Sequence, residues 1–263
     1  MIEYAVICTV AIVVSALTLF SGFGLGTLLM PAFALFFPIN TAVAATAVVH
    51  LVNNLFKVVL VGKHANIKVV IRFAVPAAIF AALGAFALGY LSEMEPLVRY
   101  SVGGRGFEIT TIKLVIAALI AVFSLLDLLP RFQDLSFDQR YIPLGGAISG
   151  FSGGLSGLQG ALRSAFLIRA GLDKDQFIGT GVVAAVVVDV SRLAIYGVTF
   201  FSQHFTTLGK HGESGLIVAG ILCAWLGSFI GVRLLRKITL KTLQVIVGGM
   251  LLLLSAALGI GAI

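Results

Sequence analysis

Long apolar runs with very few charged residues follow one another along the whole chain. The 263 residues are 59% hydrophobic and 11% charged, whereas a soluble domain carries about 25% charged residues. With a mean hydropathy of +1.11, the chain fits a bilayer as its solvent. At about 20 residues per span, its length predicts roughly eight helical spans. The runs lie near 4–21, 26–37, 41–62, 69–91, 109–129, 141–153, 158–170, 176–201, 214–235 and 240–262.

Basic residues outnumber acidic ones, and the formal net charge is +7. They stand in short connections or singly inside apolar runs, without the interleaved aromatics of a single-strand nucleic-acid binder. We therefore expect them to set membrane topology and to handle anions, with no nucleic-acid partner. Cys8 and Cys223 form neither a disulfide framework nor a metal-ligand spacing, and no nucleotide-binding motif occurs, so no cofactor or metal is expected.

The two halves of the chain resemble each other, which predicts an internal duplication. AATAVVHLVNNLFKVVLVG at 44–62 aligns with GTGVVAAVVVDVSRLAIYG at 179–197 at an offset of 135 residues. This alignment sets Lys57 against Arg192, a coincidence that chance similarity among apolar helices does not explain well. Duplicated halves are typical of secondary transporters.

The positions of the basic residues predict opposite orientations for the two repeats, which we place at 1–129 and 141–263 of one membrane domain. Basic connections mark the cytoplasmic side. The basic connection of the first half comes before the third long segment of that half. The basic connection of the second half comes after the equivalent segment. Both lie inside only if the repeats are inverted, with both termini outside. The residues concerned are Lys63, Lys68 and Arg72 in the first half and Arg233, Arg236, Lys237 and Lys241 in the second.

Glycine-rich segments interrupt the short apolar runs of both halves. SGFGLGTLLMP at 21–31 and SGFSGGLSGLQG at 149–160 adjoin runs too short to cross a bilayer, which predicts broken or re-entrant helices. A helix that restarts after such a break exposes backbone N–H groups and the positive end of its dipole, and these bind anions. In the first half we expect this role for Gly24, Gly26 and Thr27.

The second glycine break also carries polar side chains. Hydroxyls, an amide and a guanidinium converge there, and they suit a compact oxyanion such as a sulfonate, sulfite or carboxylate, because arginine donates in a planar bidentate fork. The alternative is glycine-mediated close packing of helices, which explains the glycines but not the amide and the guanidinium. The candidate substrate-binding residues are Ser156, Gly157, Gln159, Gly160, Arg163 and Ser164.

Polar side chains recur at steps of three and four along the spans that follow the breaks. Because ionisable residues inside a span cost about 2.5–3.5 kcal/mol each, we interpret them as lining a substrate path, with Asp189 and Arg192 close enough to pair. The alternatives are interhelical hydrogen bonding and snorkelling of the cations. An imidazole titrates near neutral pH, so His50 and Asp189 are candidate proton carriers. The residues are Thr46, His50, Asn53, Asn54 and Lys57, then Asp189, Arg192 and Tyr196.

On these segments the chain resembles the TauE/SafE sulfite exporter family, also called the toluene-sulfonate uptake permease group. The stretch G-x-G-x-x-x-x-P at 24–31, its repeat GLSGLQGALRSAFLIRAG at 154–171 and DVSRLAIYG at 189–197 carry the resemblance. The commoner consecutive glycines are absent, and Gln159 and Arg163 stand inside the second motif.

The resemblance implies an all-α, multi-pass carrier in a bacterial-type inner membrane. Its substrates would be small sulfur-containing anions, such as sulfite, thiosulfate, sulfoacetate or aromatic sulfonates, moved by alternating access. The expected partners are therefore the anionic substrate, the lipid bilayer and a coupling proton. The oligomeric state stays open, with a homo-oligomer as one option.

An intramembrane protease is the competing interpretation. The GLSG motif around Ser156 fits the nucleophile motif of rhomboid-type proteases, and His50 and Asn54 resemble their oxyanion-side residues. That mechanism needs a second histidine to activate the serine. The histidines after Ser156 are His204 and His211, in a hydrophilic connection rather than a span, so we expect a carrier and not an enzyme.

Overall fold

The computed structural model describes residues 1–21, 25–129, 136–198, 213–234 and 240–263. Most of these residues are helical, because long apolar segments satisfy their backbone hydrogen bonds internally only as helices when lipid surrounds them. The α-helices are α1 (Ile2–Ser21), α2 (Leu25–Ala34), α3 (Ile39–Val61), α4 (Ile67–Ser92), α5 (Thr111–Leu128), α6 (Ile142–Ser156), α7 (Gly160–Leu167), α8 (Lys174–Tyr196), α9 (Glu213–Leu234) and α10 (Leu240–Gly259).

Several of these helices have the length and composition of membrane spans, so the chain is a helical membrane protein. Within the described ranges four qualify outright, and they are Ile39–His64, Ile67–Ser92, Lys174–Tyr196 and Ser214–Gly231. Shorter apolar helices occupy Ile2–Ala16, Thr111–Leu126 and Gly248–Gly259. The expected total of roughly eight spans stays a prediction.

Helices α6 and α7 fold back on each other, and Gly157 lies at the tip of this α6–α7 hairpin. Gly157 has φ +82°, a left-handed conformation that glycine adopts without steric penalty at the end of a helix. The Ser149 hydroxyl donates to the Gln159 carbonyl at 3.0 Å, and further from the tip Gly145 lies against the ring of Phe166. The chain therefore enters and leaves this hairpin at the same end of the molecule.

Helices α4 and α6 run parallel and so close together that glycine is needed along the contact. A Cβ at any of three α6 glycines would collide with a backbone carbonyl of α4, the small-residue contact that lets membrane helices approach. Helices α1 and α9 pack in the same way, with glycines supplied by α9. The contacts are Gly146 with Phe73, Gly150 with Ala77, Gly154 with Ala81, Gly227 with Ile12 and Gly231 with Ala16. Close packing is thus the correct explanation for these five glycines.

Helices α3 and α8 pack antiparallel at the centre of the molecule. The end of α3 meets the start of α8, where Gly179 lies against the Val61 carbonyl and the Asn66 N–H donates to Thr180 Oγ1 at 2.9 Å. Helix α9 covers α3, α4 covers α8, and α5 pairs with α10. The polar residues of α3 and α8 consequently lie in the interior.

A β-hairpin joins α4 to α5, which departs from the all-α prediction. Strand β1 (Val98–Val102) pairs antiparallel with β2 (Arg105–Ile109). Between them Gly103 and Gly104 have φ +59° and +81°, as a two-residue hairpin turn requires. The Tyr100 hydroxyl donates to the Ile260 carbonyl, which attaches the β-hairpin to the end of α10.

The exposed charges differ between the two ends of the helical bundle. The β-hairpin end holds the starts of α1, α3, α5 and α9, and the charged side chains described there are Glu3, Glu93, Glu95, Arg99, Glu108 and Lys113. The opposite end holds the starts of α4, α6 and α8. We call it the basic end, because its exposed charges are Lys63, Lys68, Arg72, Arg140, Arg169 and Lys174 against Asp138, Asp173 and Asp175.

Candidate functional site

The buried carboxylate of Asp189, on α8, is the centre of a hydrogen-bonded cluster. Its Oδ1 accepts from Arg192 Nη2 at 2.7 Å, from Arg192 Nε at 3.1 Å and from Gln159 Nε2 at 3.2 Å. Its Oδ2 accepts from Asn54 Nδ2 at 3.0 Å and lies 2.7 Å from His50 Nδ1. Since a carboxylate has room for about four hydrogen bonds, Asp189 is saturated by protein donors from α3, α8 and the α6–α7 hairpin.

Arg192 and Tyr196 also cap the C-terminal end of α6. The last carbonyls of a helix have no partner within it. Here Arg192 Nη1 donates to the Gly153 carbonyl at 3.1 Å, and the Tyr196 hydroxyl donates to the Gly154 carbonyl. The predicted Asp189–Arg192 pair is confirmed, with both side chains fully buried. The Arg192 guanidinium thus fixes the tip of the α6–α7 hairpin to α8.

Two further cations, Lys57 and Arg163, lie buried beside this cluster. Lys57 on α3 is 5% exposed and Arg163 on α7 is 8% exposed. Arg163 Nη1 donates to Gln159 Oε1 at 3.3 Å. Among the described residues, no carboxylate lies within ion-pair distance of either cation. The site therefore holds buried positive charge that no carboxylate of the described residues pairs with.

The candidate polar side chains along α3 are buried, and they face two different neighbours. His50 and Asn54 contact Asp189, whereas Asn53 belongs to a separate cluster. Asn53 Nδ2 donates to Ser15 Oγ at 3.1 Å, and Ser228 Oγ donates to Asn53 Oδ1 at 2.9 Å. Asn53 thus ties α3 to α1 and α9. Neither serine was predicted from the sequence, although a lone serine within an apolar helix was the available signal.

The first-half glycine segment meets the tip of the α6–α7 hairpin. Gly26, in the first turn of α2, is buried, and a Cβ there would lie 2.9 Å from the Gly157 carbonyl oxygen. Thr46 on α3 lies beside this contact, and its buried hydroxyl has no partner among the described residues. Gly24 lies outside the described residues, as does the side chain of Thr27.

The remaining residues of the second-half segment lie at the tip of the α6–α7 hairpin or just beyond it. Ser156 Oγ donates to the Ser152 carbonyl at 2.9 Å and accepts from the Leu158 N–H at 3.4 Å. Gly160 is the buried first residue of α7, and Ser164 is half-buried one turn later. The Ser156 hydroxyl is thus engaged by backbone at the helix end.

Nothing in this geometry supports the rhomboid-type alternative. Its mechanism needs a histidine that activates Ser156, whereas His50 is engaged with Asp189 at 2.7 Å. The two histidines that follow Ser156 in the sequence, His204 and His211, lie outside the described residues.

The family model described as Sulfite exporter TauE/SafE matches residues 7–258, which is nearly the whole chain. No curated protein matches, and no solved structure matches.

Proposed function

The chain belongs to the sulfite exporter TauE/SafE family, whose members are membrane transporters of sulfur-containing anions and not enzymes, and from this premise we propose where and how it binds its substrate. The anion binds between α3 and the α6–α7 hairpin, beside Asp189. Lys57 and Arg163 supply the positive charge, and Gln159 positions the Arg163 guanidinium. The substrate is a small sulfur oxyanion.

One observation carries this proposal. A buried charge is stable only when it is paired, and Asp189 is already paired with Arg192 at 2.7 Å. Lys57 and Arg163 have no carboxylate partner among the described residues. A transported anion would complete the pairing, and the buried position would remove water from around it. Gly26, Thr27 and the N-terminal amides of α2 and α7 are further donors in this proposal, because both helices begin near the centre.

Alternating access follows from the burial of the site. A substrate reaches Lys57 and Arg163 only if the elements around them separate, first toward one side of the membrane and then toward the other. The His50–Asp189 contact joins α3 to α8, the central helices of the two proposed repeats. Protonation of Asp189 would remove the negative charge that pairs with Arg192 and so weaken the cluster. The His50–Asp189 pair is therefore our proposed carrier of a coupling proton.

Inverted repeats account for the way in which the helices pack. If α1–α5 (residues 1–129) correspond to α6–α10 (residues 141–263), then the parallel pair α4–α6 corresponds to the parallel pair α9–α1. Exchanging the two repeats swaps α3 with α8 and α5 with α10, so each of these antiparallel pairs is mapped onto itself. Helix pairs that are in extensive contact on one side of this exchange are also in contact on the other side. A cytoplasmic basic end would place both termini outside an inner membrane.

Transport by proteoliposomes tests the proposed site. We expect Arg163→Gln to lower the initial rate of labelled sulfite or sulfonate uptake at least about tenfold, because a charge-assisted contact contributes about 1.5–3 kcal/mol. Arg169→Gln is the matched control, since it makes the same change at an exposed position six residues later. Equal rates for Arg163→Gln and the wild type would show that the site is elsewhere.

A further inference from the structure

The buried charges of the described chain do not balance. They comprise three cations, Lys57, Arg163 and Arg192, and one carboxylate, Asp189, with His50 as the remaining titratable member of the cluster. Asp189 and Arg192 neutralise each other through contacts of 2.7 Å and 3.1 Å. With His50 neutral, a surplus of two positive charges remains at Lys57 and Arg163.

The two surplus charges act on one small region. Arg163 Nη1 donates to Gln159, which donates to Asp189. Lys57 lies one helical turn from Asn54, which also donates to Asp189, so both cations border the same carboxylate from α7 and α3. Like charges repel most strongly where water is excluded, because the effective dielectric constant is low. A single negative charge placed between them would leave one positive charge uncompensated, and two would leave none.

We propose that the site selects divalent anions, namely sulfur oxyanions with two negative charges or sulfonates that carry a second anionic group. This inference rests on the transport function proposed above. One anionic group pairs with the planar fork of Arg163, and the second charge pairs with Lys57. A zwitterionic sulfonate is disfavoured, because its ammonium group would need an acceptor and Asp189 already accepts from four side chains.

Binding of three related sulfonates to the purified protein tests the charge preference. Sulfoacetate carries two negative charges, sulfoacetamide has nearly the same shape with one, and taurine is zwitterionic with no net charge. We expect calorimetric titration to give affinity in that order, with sulfoacetate at least about tenfold tighter than sulfoacetamide, because even a well-screened buried charge pair contributes more than 1.4 kcal/mol.

Substitutions of Lys57 locate the second charge. Lys57→Gln is expected to bring the sulfoacetate to sulfoacetamide affinity ratio close to one while sulfoacetamide still binds. Lys57→Arg keeps the charge and should keep the preference for sulfoacetate. If Lys57→Gln does not yield folded protein, Arg163→Gln removes the other surplus cation, and it should lower the same ratio.

The outcomes separate the charge inference from the proposed function. Equal affinity of the wild type for sulfoacetate and sulfoacetamide would overturn the divalent preference and leave the transport proposal intact. An unchanged ratio in folded Lys57→Gln would overturn the role of Lys57. If folded wild-type protein bound none of sulfite, thiosulfate and the two sulfoacetate probes, the proposed function itself would fail, and the inference with it.

Discussion

At the scale of single residues, Asp189 explains how a charge-rich cluster is tolerated among apolar helices. It accepts hydrogen bonds from Arg192, Gln159 and Asn54, and it contacts His50 at 2.7 Å. Removing one partner from a buried ion pair is strongly destabilising, because the other charge is left without compensation. Asp189 therefore has a structural role that is separable from substrate binding.

We expect Asp189→Asn to lower the free energy of unfolding by about 3–5 kcal/mol, the usual effect of breaking a buried pair. The amide keeps the shape but loses the charge that neutralises Arg192, and its NH2 group faces donors. Thermal unfolding of purified protein in detergent measures the change. Asp175→Asn, at an exposed position in the first turn of α8, is the control and should leave the melting temperature nearly unchanged. Similar shifts for the two variants would contradict the role of Asp189.

The sequence predicted the local part of this cluster and missed the tertiary part. Asp189 and Arg192 are three residues apart on one helix, so spacing alone indicated that they pair. Asn53 and Asn54 are adjacent, and successive helical residues point about 100° apart. Whether each faces α8 or α1 depends on how the helices pack, which periodicity does not specify.

At the scale of elements, the glycines of the α6–α7 hairpin have two distinct functions. Gly157 provides the left-handed turn at the tip. Gly146, Gly150 and Gly154 provide a flat face against α4. The sequence predicted a broken or re-entrant helix here, because glycine clusters end helices. It did not show that α7 returns alongside α6, since a glycine break is equally compatible with a kink.

Gly150→Ala should destabilise the pairing of α4 with α6. The added Cβ would collide with the Ala77 carbonyl, and overpacking of this kind costs about 1–3 kcal/mol. Gly249→Ala on α10 is the matched control, because no atom lies within 4 Å of its added Cβ. There, alanine should stabilise the helix by about 0.5–1 kcal/mol. Melting temperatures that move in the same direction would refute this packing model.

The β-hairpin was not predicted from the sequence. Gly103-Gly104 between two alternating segments is a recognised hairpin signal, but it lies in a polar connection between strongly apolar runs. A search for membrane spans classifies such a segment as a loop. The stacking of Tyr100 on Phe107, with ring centroids 5.2 Å apart, and the bond from Tyr100 to α10 then hold the strands in place.

At the scale of the whole molecule, the two ends of the bundle differ in charge, which makes membrane orientation testable. Six exposed basic residues oppose three acidic ones at the basic end among the described residues, whereas acidic residues predominate at the β-hairpin end. Basic connections remain on the cytoplasmic side. The described chain therefore predicts that the β-hairpin faces away from the cytoplasm.

Labelling of single cysteines with a membrane-impermeant maleimide measures this orientation, in a background where Cys8 and Cys223 are replaced by serine. A His64→Cys variant should react only when the reagent reaches the cytoplasmic face. A Gly106→Cys variant should react from the outside of intact cells, because position 106 is exposed and has space around it. The reverse pattern would invert the topology, and labelling of both sites from one side would exclude it altogether.

The chain enters and leaves the α6–α7 hairpin at the basic end, and only noncovalent contacts hold its tip, so the hairpin can act as a lever. Its longer arm, α6, has 15 residues and is about 22 Å long at 1.5 Å per residue. A rotation of about 10° about its root therefore displaces the tip by about 4 Å, given that helix rise. That displacement exceeds the 3.2 Å between Gln159 Nε2 and Asp189 Oδ1, so a small tilt at the basic end is enough to separate the tip from α8. A ligand or lipid that acts only on that end would reach the centre of the molecule through this arm.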